Sequence, residues 1–311
     1  MSRAAPVRRI GAIFVGWLLL VAAWAAPGLA APAAPTPLAI GSQVDWAFDG
    51  PPRALRYRAG EVTLRVRAVS DPETPDLFRL RMLVEAPGRR PQLIESAPVS
   101  AVMPHRFGIG RFDRAGTPFV YVQSYTGGAH CCTEIRVAIV EPERIRLAEL
   151  GAWDGEPSKA FPKDVDGDGM VDFVQTDDRF RYRFASGAGS RTPPQVLNVV
   201  DGAVVDVSTR PGFRPLFAKA MREFRRECRD DDGEPNGACA AYAASAARAG
   251  RFEEAWAEML REHDRGDRSS LPEGCRLAGR DDDCPEASVI HFRDYPEALR
   301  HFLVGWGYLP R

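Results

Sequence analysis

The chain has 311 residues, of which 45% are hydrophobic and 27% charged, and its formal net charge at pH 7 is −1. A near-neutral balance without a basic stripe argues against a nucleic-acid binder. The length suggests two domains.

The N-terminus carries Arg3, Arg8 and Arg9, then an uncharged apolar run from Ile10 to Ala26, then small-x-small sites at Ala23-Trp24-Ala25 and Gly28-Leu29-Ala30. This is the anatomy of a secretory signal peptide, assigned to residues 1–30, with an Ala/Pro-rich linker at 31–38. The rival reading is an uncleaved anchor, because about 17 apolar residues reach the lower limit for spanning a bilayer. Cleavage removes three arginines and no acid, which moves the formal charge from −1 to −4. No later segment is long and apolar enough to span a membrane, so the expected product is periplasmic or secreted.

Residues 39–210 read as an antiparallel β domain. In "EVTLRVRAV" Val62, Leu64, Val66 and Ala68 alternate with Thr63, Arg65 and Arg67, and in "DLFRLRMLV" Phe78, Leu80, Met82 and Val84 alternate with Arg79 and Arg81. Period-two patterns broken by Gly, Pro, Asp and Asn indicate strands joined by short turns. The arginines then lie on solvated faces. "PFVYVQSY", "TEIRVAIV", "DFVQTDDRFRYRFA" and "QVLNVVDGAVVDVS" continue the strand-like reading.

Between two of these runs stands "GGAHCC", residues 127–132. The glycine pair is a hairpin turn signal. His130 with Cys131 and Cys132 admits a transition-metal site, a nucleophile with its base, or a disulfide. Adjacent cysteines alternate faces on a strand, and zinc favours separated ligand pairs, so a structural disulfide is the simplest reading. A trans peptide holds adjacent Cα atoms about 3.8 Å apart, below the usual disulfide span of about 4.4 Å or more. A vicinal ring would therefore be strained, and it would stiffen a loop whose rim includes His130.

The most specific motif is "DVDGDGMVDF". Asp164, Asp166 and Asp168 hold loop positions one, three and five. Gly169 provides the sharp turn at six, Met170 offers a backbone carbonyl at seven, and Asp172 follows at nine. Oxygen donors converging through a tight turn suit Ca²⁺. A helix–loop–helix site would need Glu at position twelve, where this chain has Gln175, and the flanks are strand-like. The stretch instead resembles the calcium loop of FG-GAP repeats, also called VCBS repeats, found in the integrin α-chain head. That resemblance covers residues 107–209. It implies blade-like hairpins and a calcium site formed by Asp164, Asp166, Asp168 and Asp172. A fainter copy begins 53 residues earlier, aligning Asp113 with Asp166 and Gly116 with Gly169. Three or four such units are too few for an ordinary propeller, so a partial propeller or a sandwich is expected.

From residue 211 to 311 the period becomes helical. Leu216, Phe217, Ala220, Met221, Phe224 and Cys228 form one stripe. Phe252, Ala255, Trp256, Met259 and Leu260 form another, and Tyr295, Ala298, Leu299, Phe302, Leu303 and Trp306 a third. Asp294 and Pro296 mark the start of the last helix. Residues 239–260 resemble one tetratricopeptide-type hairpin, without a second copy. Six cysteines fit an oxidising compartment. Cys228 with Cys239, and Cys275 with Cys284, enclose short polar loops and are paired locally, which leaves Cys131 and Cys132 for each other or for chemistry.

These readings converge on an exported, calcium-binding, non-enzymatic β protein with a disulfide-stapled helical module. It would act as a binding module for an envelope or extracellular protein or glycan, not for nucleic acid. The alternative is a small exported hydrolase or thiol enzyme using His130 with Cys131 or Cys132.

Overall fold

The computed structural model describes residues 34–48, 54–128, 131–155, 157–230, 233–266, 271–277 and 283–311. The segment assigned to a signal peptide lies outside the described residues, as does His130. A first sheet has the order β1 (Thr36–Pro37), β3 (Leu55–Ala59), β4 (Val62–Ser70), β5 (Phe78–Glu85), β6 (Gln92–Glu95), and is antiparallel except for the β1–β3 pair. A second runs β10 (Ile145–Trp153), β9 (Thr133–Val140), β8 (Pro118–Tyr125), β7 (His105–Arg111), β2 (Gln43–Trp46), antiparallel throughout.

The alternation in β4 and β5 supplies one face of the core. Val62, Leu64, Val66, Leu80, Met82 and Val84 pack with Phe107, Ile109, Val120, Val122, Ala138 and Val140 of the second sheet. Each fully buried aliphatic or aromatic side chain contributes about 1.5–3 kcal/mol, so this shared layer fixes the two sheets face to face. The β domain is thus a sandwich, as one of the two expected arrangements required.

The second sheet is buried on both faces. Its Phe119, Tyr121, Ile135, Val137, Ile139 and Leu150 pack against Val171, Phe173, Leu197 and Val199. Most of the latter belong to a third, three-stranded sheet of β11 (Phe173–Thr176), β12 (Pro194–Val200) and β13 (Ala203–Asp206). Gly108 and Gly110 leave room on β7 for Phe161, whose ring carbons would lie 2.7 Å from a Cβ at either position. The far side of the third sheet buries Val196 and Val207 against Phe213 and Phe217, at the start of helix α1 (Arg214–Asp230).

The "DFVQTDDRFRYRFA" stretch is a strand only over Phe173–Thr176. Beyond it a 3-10 turn, Asp178–Phe180, leads the chain out of the sheet. The reason is tertiary: Phe180 and Phe184 are buried among the helices, their ring centroids 4.9 and 6.5 Å from that of Trp306.

The helical module consists of α1, α2 (Pro235–Ala249), α3 (Phe252–Glu262) and α4 (Tyr295–Gly305), with a two-stranded ladder of β14 (Gly274–Cys275) and β15 (Val289–Ile290). Its alanine-rich α2 is central, buried from Asn236 to Ala246. Gly250 ends α2 in the left-handed conformation and turns the chain into α3. Asp294 caps α4 by accepting from the Glu297 amide at 2.9 Å. Disulfides join Cys228 to Cys239 and Cys275 to Cys284. Residues Pro35–Arg311 form one compact unit. One joint between its β and helical parts is the Tyr308 hydroxyl, which donates to Asp177 Oδ2 at 2.9 Å. Among the described residues no helix is long and apolar enough to cross a membrane.

Candidate metal centre

The acidic loop lies just before β11, and its own side chains shape it. Asp164 Oδ1 accepts from the Gly167 amide at 2.7 Å and its Oδ2 from the Gly169 amide at 2.9 Å. Asp166 Oδ1 accepts from the Asp168 amide at 3.1 Å, and Asp168 Oδ1 from the Met170 amide at 2.7 Å. Carboxylates that take up nearby amides in this way hold the backbone in consecutive tight turns. Gly167 and Gly169 supply the positive φ angles, 81° and 91°, that those turns require.

Asp164, Asp166 and Asp172 each present a carboxylate oxygen, and these three atoms lie within 4.8 Å of one another. Asp172 is the buried member, 1% exposed. Its Oδ2 accepts from the Val165 amide at 2.7 Å and its Oδ1 from Asn198 Nδ2 at 2.9 Å. Burial raises its pKa above the usual aspartate range, and the neighbouring Asp166 charge pushes the same way. Carboxylates about 4 Å apart repel by roughly 1 kcal/mol in water and about 4 kcal/mol at an effective dielectric of 20, so a divalent cation would relieve the cluster. The donors are hard oxygens at a sharp turn, which fits calcium.

Asp168 lies outside this group of three. Its Oδ2 is 3.4 Å from Arg210 Nη1. The Met170 side chain packs on the core between the second and third sheets.

Three residues beyond the motif complete the surroundings. Asn198, buried on β12, also donates to the Val171 carbonyl at 2.8 Å and accepts from Arg210 Nη1 at 3.3 Å. Arg114, on the β7–β8 turn, donates to the Gly167 carbonyl at 2.9 Å and lies over Gly169. Gly212 approaches Asp166 so closely that a Cβ there would be 2.6 Å from that of the aspartate. Of these, only Arg114 stands in a segment that the sequence pattern links to the loop.

The described residues of GGAHCC, Gly127, Gly128, Cys131 and Cys132, lie between β8 and β9. Thr126 Oγ1 accepts from the Cys132 amide at 2.8 Å, the Cys131 carbonyl accepts from the Gly128 amide at 3.0 Å, and the Tyr125 hydroxyl donates to the Gly128 carbonyl at 2.5 Å. Cys131 and Cys132 are joined by a disulfide, across a cis rather than a trans peptide bond. The other histidine of this region, His105, is buried on β7 with its ring centroid 5.6 Å from that of Trp46. Burial lowers its pKa to about 4.

Residues 217–307 match a family model described as the sll0997 C-terminal domain, which spans α1 to α4. The chain is 36% identical over 197 residues to a probable thylakoid lumen protein, sll0997, of Synechocystis, an alignment covering 62% of this chain and 57% of the relative. It is 29% identical over 201 residues to the uncharacterized protein y4bJ of Sinorhizobium fredii, covering 63% of this chain and 31% of that one. The chain thus spans about half or less of the length of these relatives. No solved structure matches it. The C-terminal helices are therefore similar to a domain already described, while the fold of the whole chain rests on its own structure.

Proposed function

We propose that this chain is a non-enzymatic binding module whose acidic loop holds calcium, with Asp164, Asp166 and Asp172 as the carboxylate ligands. The observation that carries this reading is the approach of those three carboxylate oxygens to within 4.8 Å of one another around a double-glycine turn. The resemblance of the loop to FG-GAP repeats supports it, as does the alternation of Asp and Gly in the sequence. Bound calcium would neutralise the cluster and lock the loop to β12 through Asp172 and Asn198. It would supply structural rigidity rather than a reactive centre.

The chain is exported, in agreement with its similarity to a thylakoid lumen protein. A calcium-stiffened sandwich outside the cytoplasm suits recognition of an extracellular or envelope partner. Thermal unfolding in calcium and in chelator tests the metal assignment. A higher midpoint in calcium, lost in Asp166→Asn, is expected, and identical curves overturn it.

A further inference from the structure

We propose that the outer face of the first sheet is a binding surface for an anionic polysaccharide. This deepens the binding-module reading by naming a partner class, and it is independent of the calcium loop. The register of the strands stacks arginines that the sequence shows only as separate alternations. Arg56 stands directly opposite Arg65 across β3 and β4, and Arg67 directly opposite Arg81 across β4 and β5. With Arg58 and Arg79, six guanidinium groups share one face, since Val62, Leu64, Val66, Leu80, Met82 and Val84 fill the other.

The charge is not balanced locally. Glu85 pairs with Arg65 at 2.7 Å, Glu95 with Arg81 at 2.6 Å and Asp71 with Arg79 at 2.5 Å. Arg56, Arg58 and Arg67 have no carboxylate partner among the described residues, and Arg56 Nε is buried without a hydrogen-bond partner among them. Like charges directly opposite on neighbouring strands destabilise a sheet. One member of each facing pair, Arg65 and Arg81, is held by a glutamate, and a bound polyanion would take up the charge of the other, Arg56 and Arg67.

The geometry favours a repeating polymer. Cross-strand neighbours are about 5 Å apart and alternate residues along a strand about 7 Å apart, so the cations form a flat lattice. Between them Leu83 lies opposite Leu93, and with Arg65, Arg67 and Arg81 they line a depression of about 440 Å³. Apolar ground between guanidinium groups suits the C–H faces of sugar rings carrying carboxylates or sulfates. Single-stranded nucleic acid would call for stacking aromatics, and the outward positions of β3 to β6 carry none.

The test is binding of the full chain to heparin and to polygalacturonate, sulfated and carboxylated probes, in chelator and again in calcium. Binding in both buffers is expected, weakening steeply with salt. The combined variant Arg56→Gln, Arg58→Gln, Arg67→Gln should bind at least about ten-fold more weakly while melting no lower than the parent. If that variant does not fold, Arg67→Gln alone should still lower affinity about two- to three-fold. Neutralising the exposed ridge of α1 (Lys219→Gln, Arg222→Gln, Arg226→Gln) should leave binding unchanged. Absence of binding, undiminished binding in the sheet variants, or loss in the α1 variant overturns the proposal. So does preferential binding to single-stranded DNA or to vesicles of equimolar phosphatidylcholine and phosphatidylglycerol. Binding that persists while calcium leaves the melting curve unchanged removes the calcium assignment alone.

Discussion

Arg114 Nη2 donates to the carbonyl of Gly167 at 2.9 Å, joining the β7–β8 turn to the acidic loop. In the internal alignment expected from the sequence, 53 residues apart, these two positions face each other, so the two aligned turns are bonded to each other. The matched glycines Gly116 and Gly169 have φ angles of 82° and 91°. Asp113 holds its turn by accepting from the Thr117 amide at 3.0 Å and hydroxyl at 2.7 Å, where Asp166 takes the Asp168 amide instead. One turn carries a cation and the other carries carboxylates, and the two complement each other.

Calcium should stabilise the fold through the loop. With a Kd of about 0.1 mM, calcium at about 1 mM would add about 1.4 kcal/mol. Asp166→Asn should abolish the increment. Asp168→Ala should reduce it less, because that carboxylate lies toward Arg210 and outside the group of three. Melting curves of the three proteins across a calcium titration check this order.

The two loop glycines should differ in their tolerance of a side chain. At Gly167 a Cβ meets nothing within 4 Å, so Gly167→Ala carries only the left-handed strain of about 1–2 kcal/mol. At Gly169 a Cβ also meets the Arg114 side chain. Gly169→Ala should therefore cost about 1 kcal/mol more, and Arg114→Ala should recover part of that excess in a double-mutant cycle. Urea unfolding of the five proteins, the parent, the three single variants and the double variant, supplies the comparison.

Acid should destabilise the sandwich through His105. Burial depresses its pKa from 6.5 to about 4, so the unfolded chain takes up the proton first as pH falls. Stability contributed by the neutral ring is then complete above about pH 6.5 and lost progressively toward pH 4, by up to about 3 kcal/mol. The His105→Phe variant should show a shallower acid limb in a plot of unfolding free energy against pH.

Glu258 is a buried acid of the helical module, 6% exposed. It accepts from Arg225 Nε at 2.9 Å and from the Tyr242 hydroxyl at 3.0 Å. Glu258→Ala should cost about 2 kcal/mol, chiefly by leaving the buried Tyr242 hydroxyl without its acceptor, because the half-exposed Arg225 can turn to water. Tyr242→Phe should cost only about 1 kcal/mol, measured by denaturant titration.

Alkylation of the native, unreduced protein should label no cysteine, because all six are paired. Intact mass after treatment reads this directly. Two labels at Cys131 and Cys132 would instead restore a thiol-based reading of that hairpin.

The sequence by itself determined what local chemistry controls. Period-two alternation placed Val62, Leu64 and Val66 on one side of a strand because a pleated backbone alternates its side chains. Asp294 marked the start of α4 because its carboxylate satisfies an orphan amide. The acidic loop was legible because turns of this kind need glycine and short acceptors at fixed offsets. Tertiary structure alone decided what depends on distant partners. The stretch around Phe180 and Phe184 has strand-like composition, yet it leaves the sheet because those rings have an apolar site against Trp306. The second sheet has no solvated face because a third sheet, formed 20 or more residues later in the chain, covers it. Asn198 and Arg210 reach the acidic loop from elsewhere in the chain, and no spacing rule encodes such an approach. The arginine lattice has the same origin. Alternation assigned each arginine to an outer face, but only the register set Arg56 against Arg65 and Arg67 against Arg81 and summed their charge in one place.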